Sequence, residues 1–246
     1  MERYMSIGGR AFNGGVNFVS DDFSAKLIMQ SDGTYKVSVE KRIKTSGIKK
    51  IVREIPLIKG LFSMFTSGRI ILIIVLVSII SDAVKIETQL GGGAFHWPLL
   101  IVSILGSTFI IIYIIKTTLY KIKETWRFHG AEHKTIYAYE HNMELTLENV
   151  KSCPRIARRC GTNMVVFMLF FYITMSFFIE FDSVKLIASY VLGYELFDLE
   201  NGDKLPVLKL FFKLGNWCQQ HIFTMEPTDA QMLASIETMK KLIEAR

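Results

Sequence analysis

Trp97-Pro98-Leu99-Leu100-Ile101-Val102-Ser103-Ile104-Leu105-Gly106-Ser107-Thr108-Phe109-Ile110-Ile111-Ile112-Tyr113-Ile114-Ile115 contains no Asp, Glu, Lys or Arg. A helix that crosses a bilayer needs about 20 such residues, and Trp97 stands where an interfacial anchor would. The charge-free stretch already begins at Thr88. On its N-terminal side, residues 70–80 are intensely apolar but short, bounded by Arg69 and Asp82. On its C-terminal side, residues 161–179 form a third uncharged run, and residues 186–196 a weaker fourth that Glu195 interrupts. The pattern predicts a mainly α, polytopic helical membrane protein with three to four spans. A chain of 246 residues that is 50% hydrophobic fits that class better than an ordinary globular one.

Charge orients the predicted spans. Lys41, Arg42, Lys44, Lys49, Lys50 and Arg53 precede the first, and Lys116, Lys121, Lys123 and Arg127 follow the second, whereas Asp82, Lys85 and Glu87 lie between them. The excess of Lys and Arg puts the N-terminus and the loop 116–160 in the cytoplasm. The same rule accounts for the net charge of +6 without nucleic acid as a partner. The bilayer is the expected partner, with homo-oligomer formation left open. Cys153, Cys160 and Cys218 make no disulfide framework and fit a reducing compartment. The first twenty residues lack the apolar core of a cleavable signal.

Three regions follow: an N-terminal β-containing element over 1–54, a helical membrane domain over 55–225, and a C-terminal amphipathic helix over 226–246. Residues 26–40 read as a small β-hairpin turning at Ser31-Asp32-Gly33, because Asp-Gly between two alternating runs is a strong turn signal. Residues 205–223 mix apolar side chains with Lys209, Lys213 and Trp217 in the manner of an interfacial helix. Thr228 and Gln231 form a capping-box pattern ahead of a stripe of Met232, Ile236, Met239 and Ile243.

Chemistry concentrates at His129-Gly130-Ala131-Glu132-His133. On a helix the two histidines lie one turn apart on one face, with Glu132 beside them. This H-x-x-E-H order is that of inverted zinc peptidases, with two histidine ligands, a glutamate base and a distant third ligand. Glu140, His141, Glu144, Cys160, Glu195 and Glu226 are candidates for that third ligand. Glu195 stands out because a carboxylate inside an apolar run tends to mark a functional interior, unless the run is no span and the residue faces water. Arg155, Arg158 and Arg159 suit a phosphate or lipid headgroup, although juxtamembrane topology charge is the simpler reading. Cys160 is either a thiolate favoured by those arginines or a packed thiol.

Several motifs taken in order resemble the YqhQ-like family of bacterial membrane proteins, predicted metal-dependent enzymes without an established reaction. They are Gly8-Gly9-Arg10-Ala11 with Gly15-Val16, Ile55-Pro56-Leu57-Ile58-Lys59-Gly60, Phe128 to Lys134, Arg159-Cys160-Gly161-Thr162-Asn163, Tyr194-Glu195, and Glu226-Pro227-Thr228-Asp229. The resemblance implies a multi-pass protein of the bacterial inner (cytoplasmic) membrane that uses a metal. Two positions depart from its pattern: Gly14 replaces a glutamate, and Ala157 replaces a histidine.

The leading expectation is a metal-dependent hydrolase acting on a membrane-associated substrate at the cytoplasmic face. His129, His133 and Glu195 would hold a divalent metal such as Zn²⁺, Glu132 would act as base, and Arg158 and Arg159 would hold an anionic group. The alternative is a non-enzymatic membrane scaffold or regulator with a degenerate metal site, in which the same polar residues fix the helix by hydrogen bonds.

Overall fold

The computed structural model describes residues 7–30, 33–42, 55–58, 78–82 and 122–245, with isolated positions between 85 and 109. The chain forms two compact units. The first comprises residues 1–45, 119–162 and 212–246, and the second residues 46–118 and 163–211.

The first unit is built on an antiparallel four-stranded sheet in the order β1 (Gly8–Phe12), β2 (Gly15–Val19), β3 (Phe23–Met29), β4 (Tyr35–Lys41). Asn13-Gly14 joins β1 to β2 in a two-residue turn, with Phe12 opposite Gly15 and Gly14 at φ +82°. That left-handed backbone is where glycine is favoured. Helix α1 (Ile122–Glu140) packs on β1 and β2, with the short α2 (Leu147–Ser152) against it. Alternate residues Val16 and Phe18 of β2, and Ala25 and Leu27 of β3, meet Phe128 and Ile136 of α1 in the core.

The remaining helices begin with α3 (Gly161–Met175), α4 (Asp182–Asp198) and α5 (Pro206–Cys218). A π-helical turn, Gln219–Phe223, continues α5, and α6 (Asp229–Glu244) follows. Helix α6 buries Met232, Ile236, Met239 and Leu242, and it opens on a complete capping box between Thr228 and Gln231. Thr135 of α1 and Ser235 of α6 share a buried hydrogen bond of 2.9 Å.

In the second unit, Asp82 accepts from the backbone N–H groups of Asp182 and Ser183 at 2.8 and 2.7 Å, satisfying donors that the start of α4 would otherwise leave open. Asp182 in turn pairs with Lys85 and Lys185. Tyr190 is buried among Met164, Met168, Leu186 and Ile187.

These helices correct the expectation of a polytopic membrane protein. Among the described residues, no helix is long and apolar enough to cross a membrane. The predicted third span, 161–179, ends as α3 at Met175, where Phe178 N–H bonds back to the Met175 carbonyl. Its 15 residues reach about 23 Å at 1.5 Å per residue, short of the ~30 Å hydrocarbon core. The predicted fourth span, 186–196, lies inside the 17-residue α4, which carries Asp182, Lys185, Glu195 and Asp198. The predicted spans 70–80 and 97–115 fall, but for a few positions, outside the described residues. The transmembrane reading is thus overturned, and with it the multi-pass inner-membrane placement with a cytoplasmic N-terminus. The small N-terminal hairpin is corrected as well: β3 and β4 are one half of a four-stranded sheet.

Candidate metal centre

Helix α1 brings His129, Glu132 and His133 to one face, as the i, i+3, i+4 spacing requires. The imidazole rings stand 4.3 Å apart, edge to face. Each is oriented by a backbone carbonyl. His129 Nδ1 lies 3.0 Å from the Phe223 oxygen, and His133 Nδ1 lies 2.9 Å from the Arg155 oxygen. A carbonyl only accepts, so both Nδ1 atoms carry the proton and both Nε2 atoms present lone pairs. Cys160 Sγ lies 3.5 Å from His129 Nε2. One ligand atom from each of His129, His133 and Cys160 falls within 4.8 Å of the others.

Burial governs the electrostatics. It lowers the pKa of His129, against the opposing hydrogen bond to Phe223. It lowers that of His133 to about 3, with the neighbouring His129 adding to the effect. The Cys160 thiol is pushed up by burial, partly offset by hydrogen bonding with the Thr162 side chain and backbone. Glu132 is pushed up to about 8 by burial, although the Ala11 backbone N–H donates to its carboxylate. The second carboxylate oxygen, Oε2, is buried with no protein partner. Strand β1 passes so close that a Cβ on Gly9 would stand 2.2 Å from Glu132 Oε1.

The two carbonyls are held by a polar network that the sequence reading did not foresee. Arg155 donates to Thr224 Oγ1 at 3.2 Å and to the Gln220 carbonyl at 2.7 Å, and it pairs with Glu226. Lys134 pairs with the same Glu226 at 2.8 Å. Gln220 and Gln219 accept from the N–H groups of Arg155 and Ala157 at 3.0 and 2.8 Å. The π-helical turn is therefore bound to the loop before Cys160, and Met225 N–H is bound to the Trp126 carbonyl of α1. Gly130 lets this strap approach, since a Cβ there would stand 2.2 Å from the Met225 carbonyl oxygen. Polar outer partners of this kind set the tautomer and direction of ligating histidines.

A cavity of about 250 Å³ opens over these groups. It is lined by His129, Glu132, His133 and Cys160, by Gly9, Arg10 and Ala11 of β1, and by Glu140, Ala157, Arg158 and Arg159. The structure thus gathers six of the seven predicted site residues around one space. The seventh, Glu195, belongs to the second unit, where its carboxylate accepts from Leu57 N–H at 2.8 Å. Of the other third-ligand candidates, Glu226 is engaged by Lys134 and Arg155. His141 is exposed and stacked on Tyr137. Of the two departures, Ala157 lines the cavity and Gly14 lies in the β1–β2 turn. Arg10 escaped the sequence reading because its motif offered no link to residues more than a hundred positions away.

Comparisons with known proteins agree on the kinship and are silent on chemistry. A family described as "Protein of unknown function (DUF1385)" matches residues 22–245. The chain is similar to "Uncharacterized protein YqhQ" of Bacillus subtilis (strain 168), with 33% identity over 132 residues. That alignment covers 50% of this chain and 41% of the relative, so less than half of the relative's length is matched. No solved structure matches the chain.

Proposed function

This chain belongs to the YqhQ-like family of proteins of unknown function (DUF1385), and we propose that it is a metal-dependent hydrolase centred on His129, His133 and Cys160. The observation that carries the reading is that one ligand atom from each of His129, His133 and Cys160 lies within 4.8 Å of the others, with both imidazoles oriented by carbonyl bonds at Nδ1. Two imidazoles and a thiolate suit a borderline-soft divalent ion, Zn²⁺ above all. Three protein donors are also the number that leaves a coordination position open for catalysis. Cys160 takes the third place that the sequence reading assigned to Glu195.

The chain's residues supply the rest. When bound, the ion lowers the pKa of a water to about 7. Glu132 accepts a proton at Oε2, the oxygen without a protein partner, and returns it to the leaving group. The Ala11 N–H holds the other side of the carboxylate, so the base stays aimed at the cavity. Burial disfavours a thiolate at 160 and a carboxylate at 132, and a nearby dication reverses that preference for both.

Metal analysis of the purified protein tests this reading. The wild type is expected to hold one divalent ion per chain, His129→Ala with His133→Ala to hold none, and Cys160→Ser to lose most of it. Wild-type protein without stoichiometric metal overturns the proposal. A His129→Ala variant that is less stable but unchanged in metal content would favour the scaffold reading instead.

A further inference from the structure

We propose that the cavity over the metal centre is built to receive a phosphoryl group of the substrate, held by Arg10, Arg158 and Arg159. The inference names a substrate class for the hydrolase reading and rests on that reading for the reaction, but not for the binding.

Three guanidinium-bearing residues reach one cavity from two separate parts of the chain, Arg10 from β1 and Arg158 and Arg159 from the loop before α3. Apart from the residues of the metal centre and its base, the only ionisable lining group of opposite sign among the described residues is Glu140. Three cations against one carboxylate leave a formal excess of two positive charges, which matches a dianion better than a carboxylate. Arg158 stands 5.3 Å over the Phe212 ring. Stacking uses the guanidinium face, and the N–H fork that matches phosphate oxygens lies at the edge.

The 15-residue helix α3 begins at the same wall, with Gly161 and Thr162 among the lining residues. No atom beyond its neighbours and its own helix backbone lies within 4 Å of the place where a Cβ on Gly161 would sit, so the cavity wall at the start of the helix is open. A second, independent feature points to a ligand in this space. Glu132 lines the cavity, and its Oε2 is buried and has no protein partner. Buried polar atoms are rarely left so, and a bound group is one ordinary reason. The volume of about 250 Å³ falls below the range of pockets for drug-sized ligands, about 300 Å³ upward. It fits a phosphoryl group and the atoms flanking its scissile bond.

The test is calorimetric titration of the full-length, metal-loaded protein at low salt with phenyl phosphate, inorganic phosphate and acetate. Phenyl phosphate is expected to bind at least 10-fold tighter than acetate. Arg10→Ala with Arg159→Ala is expected to weaken phenyl phosphate at least 10-fold, with metal content and Tm unchanged because both side chains are exposed. Arg10→Lys with Arg159→Lys recovers part of the loss, since the charge remains while the fork is gone. Inorganic phosphate binding as tightly as the ester supports the site and makes the free ion its ligand. Acetate binding as tightly as phosphate, or an arginine double variant that binds like wild type, overturns the proposal. Metal content measured on the same samples separates the two readings. Arginine-dependent phosphate binding by a protein that holds no metal overturns the hydrolase and leaves the phosphoryl site. Metal-loaded protein indifferent to phosphate overturns the phosphoryl site alone.

Discussion

Gly130→Ala is expected to destabilise the protein by about 2 kcal/mol and to weaken metal retention, although residue 130 is not itself a ligand. Two effects of opposite sign compete. Alanine in a helix interior is favoured over glycine by about 1 kcal/mol. Against this, the new Cβ would lie 2.2 Å from the Met225 carbonyl oxygen and 3.1 Å from Arg155 Cδ. The nearer atom is backbone, so relief requires the strap itself to move, and overpacking of that kind costs about 3 kcal/mol at its upper usual range. The strap is tied by Met225 N–H to Trp126, and its Phe223 carbonyl orients His129. Its displacement removes an outer partner of a ligand, which lowers metal affinity about 10–100-fold. Gly161→Ala is the control, because beyond its neighbours and its own helix backbone nothing lies within 4 Å of its Cβ. Denaturant unfolding and a chelator competition read the two effects. A Gly130→Ala protein as stable as Gly161→Ala would refute the close approach.

The metal-free protein is expected to be most stable between about pH 4.5 and 6.5, and Glu132→Gln is expected to abolish its alkaline weakness. His133 is held neutral, its pKa lowered by burial from 6.5 to about 3. Between those values the unfolded chain binds a proton that the folded chain does not, so stability falls as pH drops, and the lowered His129 acts in the same direction. Glu132 has the opposite sign. Its pKa is raised by burial from 4.5 to about 8, so over that interval the folded chain keeps a proton that the unfolded chain has released, and stability falls as pH rises. From 4.5 to 6.5 the two slopes oppose each other. Above 6.5 the carboxyl acts alone, and the loss by pH 8 is about 2 kcal/mol. Unfolding of chelator-treated wild type and Glu132→Gln at pH 6 and 8 measures it. Glutamine can still accept from Ala11 N–H but does not titrate. Equal losses in the two proteins would remove Glu132 as the cause.

How much of this was legible in the sequence follows from where each interaction is encoded. His129, Glu132 and His133 lie on one helix, and a local spacing is sufficient to place them together. Cys160, Arg158 and Arg159 were readable as candidates, but only the fold puts them around one cavity with the histidines. The orienting groups left no trace, because Phe223 and Arg155 act through backbone carbonyls that any side chain could carry. Strand β1 did have a signal: Asn13-Gly14 is a hairpin turn pair, obscured by glycines on both sides of it. The apolar runs at 161–179 and 186–196 misled because hydropathy does not report where a helix stops. The chain turns after Met175, and α4 is laced with charge.

The first unit is assembled from three separate lengths of chain. During synthesis on a ribosome, Gly9 and Ala11 emerge before the histidine helix, and Phe223 and α6 emerge after it. A nascent chain stopped before residue 223 would already carry both imidazoles and the thiol, yet His129 would lack the acceptor that fixes its tautomer. Such discontinuous contacts make folding slow, and they make completion of the His129 environment a late event. If the proposed centre holds an ion, its capture would then follow passage of the strap and report that the first unit has closed.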